Sequence, residues 1–253
     1  MIKQNNSLVQ PAGHLSIWRY MNFAKFHDLV IHKSLFFTRL DKFPDNFEGT
    51  LHELTKKELY DYRKAFAYTS KQEADGWTKA ELANIESYKA HILANCWSLS
   101  EEENYALWKV YLSGSKEGVA IRSTVNRLTN TLEANKDFDI YLGQVTYEPV
   151  KRENLNVFTV STNKRAFYRY ENEYRALITK AFEIAKNGQG KQTRIPKYEV
   201  GVNVNVALEE LIEKIYISPF AAQWFSEIIE SVRERYLTFL PPEKIIKSGI
   251  KDE

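Results

Sequence analysis

The run Lys164-Arg165-Ala166-Phe167-Tyr168-Arg169-Tyr170-Glu171-Asn172-Glu173-Tyr174-Arg175-Ala176-Leu177-Ile178 passes from a basic, aromatic half to an alternating one. From residue 171 onward, period two sets Glu171, Glu173 and Arg175 on one side and Asn172, Tyr174 and Ala176 on the other. That is the pattern of a strand with one polar and one packed face. Arg169 and Arg175 flank the two carboxylates, and guanidinium groups so placed fix both ionisation and orientation. The same letters also fit a solvated strand edge laced with cross-strand ion pairs, or a helix whose surface mixes charge signs.

Moving outward, residues 1–13 are polar, carry Pro11 and Gly13, and read as a loose lead-in. Residues 15–21 then form a strand rich in aromatic and β-branched types. Asn22 is a helix cap, Phe23–His32 a helix with Phe23, Phe26, Leu29 and Val30 in its buried stripe, and 34–40 a second strand. The turn-rich loop around Asp41, Asp45 and Glu48 offers oxygen ligands to a divalent ion, but such acids also form turns and favour helix N-termini, the reading preferred here.

Residues 51–93 are helical in period and read as an insertion, with a break at Asp75-Gly76. His52 and His91 stand apart, without cysteine partners, and do not point to a metal. Beyond them come a strand over 94–100, a helix containing Tyr105, Trp108 and Tyr111, and strands over 118–122, 138–147, 200–206 and 214–218. A basic loop over 186–197 carries Lys186, Lys191, Arg194 and Lys197, either a solvated hairpin tip or a phosphate contact. A long amphipathic helix closes the series at 219–236. The fold class that follows is α+β: a mixed or antiparallel central sheet with flanking helices, one domain over 14–253 with the helical insertion at 51–93.

At 253 residues and 43% apolar composition the chain has length enough for a sizeable core. Lys plus Arg (35) nearly balance Asp plus Glu (33), so any nucleic-acid contact must come from a local patch rather than from net charge. The one cysteine, Cys96, excludes an intrachain disulfide and suits a reducing, cytoplasmic setting. Without a nearby histidine it reads as a structural thiol. The first residues lack a signal-peptide pattern, and no run approaches the ~18 apolar residues of a spanning helix.

The order of motifs resembles a bacterial family known as domain of unknown function 2971. Trp18-Arg19-Tyr20 comes first, then Asp45-Asn46-Phe47-Glu48, Cys96-Trp97-Ser98, Leu107-Trp108-Lys109-Val110-Tyr111 and Glu171-Asn172-Glu173-Tyr174-Arg175. Pro44 precedes the Asp-Asn pair instead of following it, Trp97 stands for Phe and Leu107 for Met. The family implies no activity. A second series, Arg19, then Ser98 with Ser100, then Glu171 with Glu173, resembles the Arg–Ser–Glu pattern of ADP-ribosyltransferases.

That second resemblance implies an enzyme with NAD as substrate, a toxin or phage-defence effector modifying a protein or nucleic acid. Arg19 would clamp the phosphates, Tyr20, Ser98 and Ser100 would shape the nicotinamide site, and Tyr105 or Trp108 would stack on a ring. Glu173 would act at the ribose, Glu171 would select or activate the acceptor, and Arg175 would complete the dinucleotide site. The chemistry fits the residue types: guanidinium grips phosphate in bidentate fashion, and a carboxylate stabilises the oxocarbenium-like centre left by nicotinamide. Two alternatives stand beside it. One is a non-catalytic nucleotide- or nucleic-acid-binding module using Arg19, Arg165, Arg169, Arg175 and the basic loop. The other is a metal-dependent phosphodiesterase using Asp41, Asp45 and Glu48 with Glu171 or Glu173.

Overall fold

The computed structural model of the chain describes residues 1–66, 70–186 and 192–250. The expected loose lead-in is tied down: strand β1 (Ile2–Lys3) runs parallel to residues 140–141, Leu8 is buried and Val9 bridges to Gln144. The opening unit follows its sequence pattern closely, as β2 (Ser16–Asn22), α1 (Phe23–His32) and β3 (Ser34–Arg39). Asn22 accepts from the Lys25 N–H to cap α1, and Lys33 at φ 48° turns the chain out of the helix.

The insertion is a pair of packed helices, α2 (Glu53–Phe66) and α3 (Lys71–Tyr88). Asp75-Gly76 does not break it; both lie inside α3. Ser70 and Glu73 start that helix with a reciprocal capping box, and a mid-helix glycine costs only ~1 kcal/mol, too little to end eighteen residues.

Strand β4 (Leu93–Leu99) follows, then α4 (Tyr105–Leu112), β5 (Gly118–Thr124), α5 (Val125–Glu133) and β6 (Ile140–Gln144). After α6 (Val157–Ser161) and a 3-10 turn over Ala166–Glu171, β7 (Glu173–Ile178) carries the alternating half of the quoted run. The basic segment proves to be a two-stranded ribbon, β8 (Phe182–Lys186) with β9 (Gln192–Pro196), separate from the main sheet. Lys191 of that segment lies outside the described residues. The chain continues through β10 (Gly201–Asn205), α7 (Leu208–Leu211), β11 (Lys214–Ile217), α8 (Gln223–Tyr236) and β12 (Ile245–Lys247).

The main sheet is mixed, ordered β1-β6-β7-β4-β2-β5-β11-β12, with β3 joined to β4 and β10 joined to β3. Its end pairs, β1 with β6 and β11 with β12, are parallel and the other pairs antiparallel. One edge of β4 is shared: Ser98 and Leu99 pair with β2, while Leu93 and Ala94 pair with β3. The strands splay apart between those ends, and side chains fill the split. Arg19 Nη1 donates to the Cys96 carbonyl at 2.6 Å, and Asn95 Nδ2 donates to the Phe36 carbonyl at 3.0 Å.

Alternation then assigns the faces. Tyr174, Ala176, Trp97, Ile121 and their neighbours pack under α1, α5 and α8 in the large core. The opposite face is covered piecemeal, by α4 over Trp18, Tyr20 and Ala120, and by residues such as Leu40 and Ile92 over Ala94 and Leu177. Between those two covers lie the polar side chains of β7. No helix among the described residues is long and apolar enough to cross a membrane.

The α4 cover approaches β5 closely at Gly118. A Cβ there would stand 2.6 Å from the Met21 carbonyl oxygen and 2.2 Å from Leu112 Cδ2. Backbone cannot yield as a side chain does, so Gly118→Ala is expected to destabilise by ~1–3 kcal/mol, read as a lower denaturant midpoint at unchanged slope.

Candidate functional site

Strand alternation puts Glu173 and Arg175 on the same side of β7, as the sequence pattern requires. Both are buried, and they form a bidentate pair: Arg175 Nε to Glu173 Oε1 at 2.9 Å and Nη2 to Oε2 at 2.9 Å. Arg175 Nη2 also reaches Glu48 Oε2 at 2.9 Å, and Nη1 donates to the Ser161 carbonyl at 2.7 Å. Lys164 adds a second cation, 2.7 Å from Glu171 Oε2, 3.1 Å from Glu48 Oε1 and 3.5 Å from Glu173 Oε2. Three carboxylates and two cations thus share one largely dry site, with Arg19 near enough to feel Glu173.

Glu171 arrives by a route that simple alternation does not describe. The 3-10 turn ends at it, and Asn172 at φ 38° takes a left-handed conformation before β7 begins. Asparagine tolerates that region better than most residues, and here Nδ2 donates to the Leu99 carbonyl at 2.8 Å. The turn delivers Glu171 to Lys164 although Glu171 is not in the strand. It rules out the helical reading of the stretch as well. Arg169 does not flank the carboxylates; it points outward and pairs with exposed Glu148. Lys164 takes the place Arg169 was expected to fill.

The environment sets the charges apart. Burial drives the Glu173 carboxyl upward, but Arg175 and Lys164 outweigh it and hold the group at about 2, ionised at neutral pH. Burial raises Glu171 above the usual carboxylate range against the opposing pull of Lys164, so it is the acid more ready to take a proton. Burial and the Glu173 charge lift the Cys96 thiol well above normal, and it donates a hydrogen bond to Glu173, a structural thiol rather than a nucleophile. Tyr147 accepts the Glu173 backbone N–H at 3.0 Å, its phenol pushed up to about 12 by burial first and then by Glu173.

The other expected residues divide. Ser98 stands opposite Glu173 in the β4–β7 register, and its Oγ donates to the Glu171 carbonyl at 2.6 Å. Arg19, Ser98 and Glu173 occupy three consecutive strands of the sheet. Ser98 and Glu173 share the face away from the large core, whereas Arg19, paired with Ile121 and set over Trp97, leaves β2 on the core side and reaches the split beside Cys96. Ser100 does not join them; its hydroxyl donates to the Glu102 carbonyl in the next turn. Tyr20 and Trp108 are packing residues, stacked edge-on at 4.9 Å, with the Tyr20 hydroxyl accepting from Asn104 N–H. Tyr105 is exposed on α4 beside Phe220, away from the acids. The α4 residue that feels Glu173 and Glu171 is Tyr111, whose phenol burial and those charges raise. Arg175 is saturated by protein groups and cannot also grip a phosphate.

Of the acid-loop residues, only Glu48 enters the site. Asp41 is held by Arg39, and Asp45 by Arg165 Nη2 at 2.8 Å. Glu48 and Lys164 are the site residues that the sequence reading passed over as a site pair. Glu48 was grouped with Glu171 or Glu173 only as an oxygen ligand of the phosphodiesterase alternative and otherwise as a turn acid, and Lys164 was visible only as the first letter of the basic half.

Two hollows in the described residues lie elsewhere. One is an open trough of about 870 Å³ between α1 and α8, and the other a cavity of about 160 Å³ between α3 and α6. The second touches the site only through Ser161, the residue whose carbonyl accepts from Arg175.

No family model matches the chain, and no curated protein or solved structure matches it.

Proposed function

We propose that the chain is an ADP-ribosyltransferase-like enzyme, with the fold of that class, that cleaves the nicotinamide–ribose bond of NAD and passes the ADP-ribosyl group to an acceptor. One observation carries the reading: Arg19, Ser98 and Glu173 sit on neighbouring strands β2, β4 and β7, beside a second acid, Glu171. Arg19 commits one donor to the Cys96 carbonyl, and its other donors address the pyrophosphate. In the step itself the C–N glycosidic bond breaks, nicotinamide departs with the bonding pair, and the ribosyl cation faces Glu173, ionised at neutral pH. The acceptor nucleophile then bonds to that carbon and yields its proton to Glu171. Tyr111, rather than Tyr105 or Trp108, is the ring that α4 offers.

The order of motifs also supports kinship with domain of unknown function 2971, which brings no chemistry of its own. A cytoplasmic setting, with its reducing conditions, suits a chain whose one cysteine, Cys96, is a free, half-buried thiol.

A second reading is favoured by the saturation of Arg175 and Lys164. On it the cluster is an ion network that pins the loop before the helical insertion, through Glu48, to the centre of the sheet, with no catalysis. Incubation of the full chain with NAD separates the two. The enzyme reading expects released nicotinamide and a rise in melting temperature with millimolar NAD. Neither release nor thermal shift, with or without nucleic-acid and protein acceptors, leaves the ion network alone.

A further inference from the structure

We propose that the β8–β9 ribbon is a docking arm for duplex DNA. It pairs only with itself, Phe182 opposite Pro196 through Lys186 opposite Gln192, and stands off the main sheet. A lone hairpin of this kind is marginal in water unless it is anchored. The anchoring lies at its root. Phe182 meets His91 edge-on at 5.6 Å, Arg194 donates to the Tyr88 hydroxyl at 2.9 Å and lies against the Tyr88 and Phe182 rings, and Lys197 N–H donates to the Ala181 carbonyl. The rest of both described strands is largely exposed on both faces.

Charge says what such an arm meets. Several arginines elsewhere in the chain are paired with acids: Arg39 with Asp41, Arg165 with Asp45, Arg169 with Glu148, Arg175 with Glu48 and Glu173. Lys186 in β8 and Lys180 and Lys197 beside the ribbon's root are exposed and form no ion pair among the described residues, against two acids over the same stretch, Glu183 and Glu199. Unneutralised cations on an isolated ribbon suit an anionic polymer, because each phosphate contact releases counterions. A protein partner is less well served, since each face of the ribbon shows a single exposed isoleucine, Ile184 on one and Ile195 on the other, and no apolar stripe. Two strands ~4.8 Å apart with their side chains match a B-form major groove ~12 Å wide, whereas the A-form major groove is too narrow to admit them. The proposal is independent of the transferase reading: DNA binding without nicotinamide release leaves it intact.

The test is fluorescence anisotropy of the full chain with a labelled mixed-sequence duplex of ~20 base pairs, titrated with salt. Three lysine–phosphate contacts predict a loss of affinity of about 40-fold between 50 and 200 mM salt. Lys186→Gln with Lys197→Gln leaves one contact, so the loss shrinks to about 3.5-fold and binding at 50 mM weakens at least tenfold. Lys57→Gln with Lys64→Gln on α2 changes net charge equally and retains the wild-type salt dependence. The proposal is overturned by no binding at 50 mM, by equal behaviour of the two double variants, by equal affinity for duplex RNA, or by the same lysine dependence on phosphatidylserine vesicles with no DNA bound.

Discussion

Arg175→Met lowers the melting temperature by on the order of 10 °C, the largest stability effect expected in this chain. The substitution keeps much of the volume but removes the cation that holds Glu48 and Glu173 at 2.9 Å each. Lys164 alone then faces three buried carboxylates. Breaking a buried ionic network by removing one partner typically costs ~3–5 kcal/mol, since the stranded charge has no water to return to. Removing the stranded charges too should restore most of the loss. Arg175→Met with Glu173→Leu and Glu48→Met leaves Lys164 and Glu171 as a balanced pair at 2.7 Å. Thermal denaturation of wild type, single and triple variants checks both halves. A single variant within ~2 °C of wild type would show that the network contributes little.

The same site gives the fold an acid limit whose sign follows from Glu173. Its carboxyl titrates at 4.5 when unperturbed and at about 2 in the folded protein, so the unfolded chain binds the proton first. The stability it contributes is present above pH 4.5 and is lost as pH falls toward 2. Glu171, raised in the fold, works the other way and partly offsets that loss on acidification.

What could be read in the letters was whatever neighbours in sequence decide. The strand–helix–strand unit over residues 16–39 was legible because Asn22 caps α1 locally and Phe26, Leu29 and Val30 recur on one face. The Glu173–Arg175 alternation was legible because it depends only on the two-residue period of a strand. Glu171 was assigned to the right place by the wrong geometry, since a left-handed Asn172 leaves little trace in a pattern of polar residues. The partner of Arg175 was out of reach: Glu48 lies 127 residues away, in a loop whose acids looked like turn formers. The shared edge of β4 was equally hidden, because one strand pairing with two others is settled by long-range packing and not by propensity. In α3, the glycine drew the eye from the capping box at Ser70, although the cap sets the helix start and the glycine costs little.

Glu173→Gln separates the enzyme from the ion network, because the two readings weigh the same charge differently. For the transferase, neutralising the carboxylate removes the charge that meets the ribosyl cation, an effect of ~3–4 kcal/mol or ~10²–10³ in the rate of nicotinamide release. The glutamine still offers an oxygen to Arg175, so part of the pairing survives and NAD binding is retained. Stability will also drop, since Arg175 and Lys164 lose a charged partner, so rates are compared at a temperature where circular dichroism shows both proteins folded. Glu171→Gln is the control within the cluster. It disturbs the Lys164 contact but leaves Glu173 ionised, so acceptor modification fails while NAD cleavage by water persists. An acid limb in the transfer rate must likewise belong to Glu171, because Glu173 stays ionised to about pH 2. Should Glu173→Gln release nicotinamide at the wild-type rate, the carboxylate does not act at the ribose, and its only remaining work is to hold Arg175, Lys164 and the Glu48 loop against the sheet.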